Sequence, residues 1–141
     1  MKVVLDTNVI VSGLLSPYSP PGEIIRMVSS GHLDLFLDAR LFAEYSEVLL
    51  RPKFQFAADL VSGFLEYVEH TGIFVSGAPL AASLPDPDDE PFLEVALAGP
   101  AECLVTGNRK HFPVKMTEGI PVLSPAQFLA YYRKQRKKTF R

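Results

Sequence analysis

The chain has 141 residues, 48% of them hydrophobic, enough for one ordinary domain whose core needs no disulfide or metal staple. Its formal charge is −2, but residues 133–141 (RKQRKKTFR) carry six Lys/Arg and no acid, leaving eight basic against sixteen acidic residues before them. An acidic body of this kind excludes gripping nucleic acid by bulk positive charge, so any polyanion must be met locally and with the help of cations.

One domain over residues 1–132 is expected, followed by the basic segment 133–141, which offers a separate electrostatic handle for a polyanion. The single cysteine, Cys103, lies in an apolar run without a partner and reads as a small core side chain in a reducing, cytoplasmic setting. Asp6 and Asn8 fall where the apolar centre of a signal peptide would be, and no run approaches the ~18 residues of a membrane span.

In chain order, residues 2–6 read as a short apolar strand that ends on Asp6 and a DTN turn. Residues 20–33 open with Pro and close near Gly31, the usual punctuation of a helix. A strand is expected at 33–37, then a helix with apolar residues at 41, 42, 45, 48 and 49 that stops at Pro52. The pattern repeats at 57, 60, 61, 64, 65 and 68, followed by a strand at 72–76 and an extended Pro/Asp-rich loop. A short helix at 89–99 carries Pro91 in its first turn, and strands are expected at 102–106 and 120–124. Ser124 and Pro125 then cap a terminal helix. Apolar strands alternating with amphipathic helices imply a parallel sheet covered on both faces, with its site outside the carboxyl ends of the strands. Asp6 and the segment after Thr106 both fall at such ends.

One carboxylate does little chemistry, and four places could supply partners for Asp6: Glu44 with Glu47, the cluster Asp86, Asp88, Asp89 and Glu90, the segment after Thr106, and Glu23. Helical phase at about 100° per residue puts Glu44 roughly 100° from the centre of its apolar stripe and Glu47 roughly 160° from it. Glu44 therefore borders the buried face while Glu47 points to water. Asp89 precedes Leu93 and Ala96 by helical steps and shares their sheet-facing side, whereas Asp86, Asp88 and Glu90 fall elsewhere. Carboxylates converging at a sheet end repel unless a cation sits between them, and a hard ion such as Mg²⁺ or Mn²⁺ suits carboxylates and phosphate. Zinc is less well supported, because His32, His70 and His111 show no ligand spacing. No Walker loop, GxGxxG turn or GxSxG elbow is present.

The stretches VVLDTNVIVSGLLSP, LFAEYSEVLLRPKF, DPDDEPFLEVALA, CLVTGNRKHFP and GIPVLSPAQFL together resemble the PIN-domain proteins, in order and over residues 2 to about 130. The likeness is strongest to the group of toxin components of toxin-antitoxin systems, relatives of the VapC ribonucleases. The resemblance implies a three-layer α/β/α fold around a mostly parallel sheet. It also implies a metal-dependent endoribonuclease that uses Mg²⁺ or Mn²⁺, leaves a 5′-phosphate and a 3′-hydroxyl, forms a homodimer and is blocked by a small antitoxin. Its acids fall on Asp6, Glu44 and Asp89, with Thr7, Asn8 and Thr106 supporting them. Many relatives carry a fourth acid after the Thr, where this chain has Asn108 and His111, so Asn108 stands as a further metal ligand through its amide oxygen. Arg51, Lys53, Arg109, Lys110 and His111 are candidates to meet RNA phosphates. Two other readings remain open: a catalytically silent RNA-binding module on the same fold, and a haloacid-dehalogenase-like phosphohydrolase, against which Asn8 stands where an acid is needed.

Overall fold

The computed structural model describes residues 1–139; residues 140 and 141, the end of the basic segment, lie outside the described residues. Five parallel strands form one sheet: β1 (Lys2–Leu5), β2 (Asp34–Leu37), β3 (Ile73–Phe74), β4 (Leu104–Val105) and β5 (Val122–Leu123), in the spatial order β3-β2-β1-β4-β5. Helices cover both faces in a three-layer α/β/α arrangement, as the alternation of strands and helices requires. They are α1 (Thr7–Leu15), α2 (Pro20–Ser29), α3 (Ala39–Leu49), α4 (Ala58–Thr71), α5 (Glu90–Ala98) and α6 (Pro125–Thr139).

β1 lies at the centre, and Val3, Val4 and Leu5 are completely buried, because a middle strand between two helical layers meets no water on either face. Its register pairs Val4 with Leu104 and Leu5 with Val105, so one step on, Asp6 and Thr106 stand side by side at the carboxyl edge. Strands β3, β4 and β5 are shorter than expected, with two residues each. Ladder bonds nevertheless continue past their ends, as in Asp6 N–H to Val105 O (2.9 Å) and Thr106 N–H to Leu123 O (3.0 Å).

Helix α1 is the element that the sequence reading lacks. The stretch TNVIVSGLL is rich in β-branched residues and holds a glycine, both weak helix formers. Val9, Ile10 and Val11 are buried in succession, and the exposed side is marked only by Asn8, Ser12 and the apolar Leu15, too mixed a stripe to reveal the helical period. Packing overrides propensity here: Gly13 lets α1 approach α2 so closely that a Cβ on it would lie 2.5 Å from Ile25 Cγ1 and 2.7 Å from Pro21 O. Gly13→Ala is therefore expected to destabilise the fold. Overpacking costs about 1–3 kcal/mol, against a helix-propensity gain of about 1 kcal/mol from Ala, and the lowered melting temperature would be read by circular dichroism. An unchanged or higher value would mean that the two helices separate freely.

Through Thr139 the basic segment continues α6, the capped terminal helix expected from Ser124 and Pro125. The helix opens with a reciprocal cap, Gln127 N–H to Ser124 Oγ (3.2 Å) and Ser124 N–H to Gln127 Oε1 (2.9 Å). Farther along, Arg133 pairs with Glu23 of α2 at 3.2 Å, and Arg136 lies over the Tyr132 ring at 6.0 Å. With Ser30 and His32 these arginines line a cavity of about 410 Å³ beside the amino end of β2, the edge of the sheet opposite Asp6. No described helix is long and apolar enough to cross a membrane.

Candidate active site

At the end of β1 the backbone turns directly from strand into α1, with Asp6 in the N-cap position but its side chain making no cap bond. That carboxylate, 7% exposed, turns inward: its Oδ2 accepts from Thr106 Oγ1 at 2.8 Å and, more weakly, from Asn8 Nδ2 at 3.4 Å. Thr106 is wholly buried, and its hydroxyl also accepts from Asn108 N–H at 3.0 Å. Asn8 Oδ1 receives Gly107 N–H at 3.0 Å. The start of α1 and the loop after β4 are thus tied across the carboxyl edge by one short network.

Glu44 reaches the same place from α3. Thr7 donates its hydroxyl to Glu44 Oε2, and the neighbouring Tyr45, fully buried, donates to Leu5 O at 2.6 Å, which holds α3 against the end of β1. Helical phase separates the two glutamates as expected: Glu44 is half-buried, while Glu47 is 62% exposed and pairs with Arg51 at 2.8 Å. Beside Glu44 a cavity of about 210 Å³, lined among others by Leu41, Pro87 and Phe92, opens between α3 and α5.

Asp89 closes a 3₁₀ turn, Pro87–Asp89, immediately before α5, a helix that packs on β1, β2 and β4. Its side chain is 13% exposed, and Oδ2 lies 2.8 Å from His111 Nδ1. That oxygen is sealed from water, with His111 as its close partner.

The three acids sense one another. Burial pushes the carboxyl of Asp6 up, and the charge of Asp89 adds to it, against the Thr106 hydrogen bond. Burial also raises Glu44, against the Thr7 bond, with Asp6 and Asp88 adding repulsion. Asp89 is raised first by burial, with Asp86 and Glu44 pushing the same way and His111 opposing. Like charges sharing a desolvated edge call for a cation, and carboxylate oxygens of Asp6, Glu44 and Asp89 are donors that fit one. A hard divalent ion suits an all-oxygen donor set of this kind.

The remaining candidates fall into two groups. Thr7, Asn8 and Thr106 are at the centre, each bonded to an acid. Asn108 meets the acids through His111, with Nδ2 2.8 Å from His111 Nε2. Arg51 is committed to Glu47, Lys53 lies over the Phe54 ring at 5.1 Å, and Arg109 donates to Val122 O at 3.2 Å. Lys110 is exposed on the same 3₁₀ turn as Arg109 and His111.

One acid was misplaced by the sequence reading. Glu90 bonds Leu84 N–H at 2.9 Å and lies off the edge as expected, and Asp88, though exposed, lines the cavity beside Glu44, but Asp86 is turned toward Asp89 and His111. The α-helical phase that locates Asp89 cannot be extended backward through a 3₁₀ turn, in which Asp86 is the cap, accepting Asp88 N–H at 2.9 Å. The available signal was the Asp-Pro-Asp-Asp spelling of such a capped turn.

No curated protein and no solved structure matches the chain. A family model described as PIN domain matches residues 2–110, a span that begins on β1 and takes in Asp6, Glu44, Asp89 and Thr106. With most of its length matched and the acids gathered at the carboxyl edge of a parallel sheet, the chain belongs to the PIN-domain family, whose members are in general metal-dependent nucleases.

Proposed function

We propose that the protein is an endoribonuclease that hydrolyses RNA phosphodiester bonds with Mg²⁺ or Mn²⁺, acting as the toxin of a toxin-antitoxin pair in the cytoplasm. The observation that supports this reading is the placement of Asp6 at the end of β1, tied to Thr106, beside Glu44, which its neighbour Thr7 holds, with Asp89 opening α5. These three would hold the ion, with Asn108 as a further ligand. When bound, such an ion neutralises phosphate charge and lowers the pKa of water. The chain supplies the rest. Thr106 and Asn8 orient the Asp6 carboxylate, Thr7 orients Glu44, and the Leu5 carbonyl held by Tyr45 keeps α3 in register with the end of β1. Arg109, Lys110 and His111 on the loop after β4, and Arg51 and Lys53 after α3, would meet the phosphates flanking the cut. A second copy and a small antitoxin are the partners that this function requires.

Purified protein incubated with RNA in Mg²⁺, Mn²⁺ or EDTA tests the proposal. Cleavage is expected with either ion and none in EDTA. RNA bound but uncut in both ions would replace it with the silent-module reading, for which the absence of a fourth acid at Asn108 and His111 speaks.

A further inference from the structure

We infer that the cavity between α2 and α6 seats one nucleotide of a single-stranded RNA, its phosphate met by Arg26 and Arg133 and its base by Arg136. Charge singles this place out. Three guanidiniums and one carboxylate, Glu23, line the cavity, and Lys134, Lys137 and Lys138 extend the positive field along the same helix. The carboxyl edge instead gathers Asp6, Glu44, Asp86 and Asp89. An RNA strand that those acids repel gains its affinity at the opposite end of the sheet, where the field attracts it. The inference takes its ligand from the nuclease reading, because the RNA held here is the one proposed to be cut.

The arginines are already placed for this task. Arg26 Nη1 donates to Pro17 O, just before α2, a neutral partner that anchors the guanidinium and leaves its charge uncancelled. Arg133 meets both oxygens of Glu23 through one nitrogen, Nη2, at 3.2 and 3.3 Å. The two side chains are 62% and 41% exposed, so water screens the pair and a phosphate can take the guanidinium over at little cost. The planar fork of arginine matches phosphate oxygens. Arg136 lies over the Tyr132 ring at 6.0 Å, and Phe128 packs tilted against that ring at 6.1 Å, which together hold the guanidinium plane in position. Unpaired bases stack on such planes as they do on aromatic rings. Met27 and Leu129 supply an apolar wall in the same cavity. Its volume of about 410 Å³ is in the range of small-ligand sites, roughly 300–1,000 Å³.

Fluorescence anisotropy of a short labelled oligouridylate, titrated with the full chain in EDTA so that metal-dependent cleavage does not contribute, tests this assignment. Arg26→Ala and Arg133→Ala are each expected to weaken binding roughly tenfold. Each should also flatten the slope of log K against log salt by about 0.7, the value for one phosphate contact on a single strand. Glu23→Gln separates recognition from structure: it breaks the same ion pair as Arg133→Ala but removes the competing carboxylate, so RNA should bind at least as tightly as to wild type. Lys134→Ala, on α6 but outside the cavity, should lose much less than Arg26→Ala. Equal losses from those two would overturn the cavity in favour of diffuse charge along the helix. A loss in Glu23→Gln matching that in Arg133→Ala would overturn it too, since Arg133 would then act only by holding α6 to α2. Uridine 5′-monophosphate bound as tightly as the oligomer would replace the RNA strand with a free nucleotide as the ligand. The expected binding pattern in a protein that cuts no RNA in Mg²⁺ or Mn²⁺ would keep this inference and remove the nuclease reading. Cleavage by a protein whose RNA binding ignores Arg26→Ala and Arg133→Ala would do the reverse.

Discussion

Asp6→Asn, Glu44→Gln and Asp89→Asn are each expected to lower RNA cleavage by roughly 10²–10³-fold, since a bound ion is worth several kcal/mol at the transition state and each ~1.4 kcal/mol is tenfold in rate. A hard-cation site with few anionic ligands cannot lose one without weakening. The folds should persist, because each change is isosteric and the oxygen that accepts from Thr106 in Asp6, or from Thr7 in Glu44, has a counterpart in the amide. Glu47→Gln should cut RNA at the wild-type rate: its carboxylate faces water and its partner is Arg51, an exposed pair worth ~0–1 kcal/mol. Equal losses from Glu44→Gln and Glu47→Gln in a steady-state cleavage assay would sink the assignment of Glu44.

Divalent ions are expected to stabilise the protein, and Asp6→Asn without ions is expected to melt above wild type without ions. Binding at about 100 times Kd contributes ~2.7 kcal/mol, which at roughly 2–4 °C per kcal/mol is a shift of several degrees in calorimetry. The pH dependence follows from the direction of the shifts. Asp6, Glu44 and Asp89 all have carboxyls raised in the folded state, burial being the first cause in each. Their penalty is complete above the raised pKa values and is relieved as pH falls through them toward the ordinary carboxyl range near ~4, because the folded state takes up protons first. Ion-free wild type should therefore gain stability on mild acidification, and Asp6→Asn should gain less. Melting curves unmoved by millimolar Mg²⁺ or Mn²⁺ would argue against any cation at this edge.

Periodicity and punctuation alone determine much of this protein. Apolar runs bounded by turn residues place all five strands, most plainly β1, β2 and β4, whose apolar residues are buried and leave no polar positions to blur the run. The stripe through Leu41, Tyr45 and Leu49 places Glu44 inward and Glu47 outward, because a regular helix has a single phase. Order along the chain likewise puts Asp6 and Thr106 at carboxyl ends, which a parallel sheet brings to one edge.

Other features were decided only by tertiary structure. α1 is helical although its residues favour strands, because the close approach at Gly13 and the burial of Val9, Ile10 and Val11 outweigh propensities of a few tenths of a kcal/mol per residue. Arg133 belongs to an ion pair with Glu23 rather than to a loose tail, a contact between residues 110 positions apart. The meeting of Asp86, Asp89 and His111 depends on a 3₁₀ turn with no extrapolable phase and on a loop that returns beside it after β4. Spacing along the chain records only local geometry, whereas this cluster exists because two loops are carried to the same edge by strands packed elsewhere in the sheet.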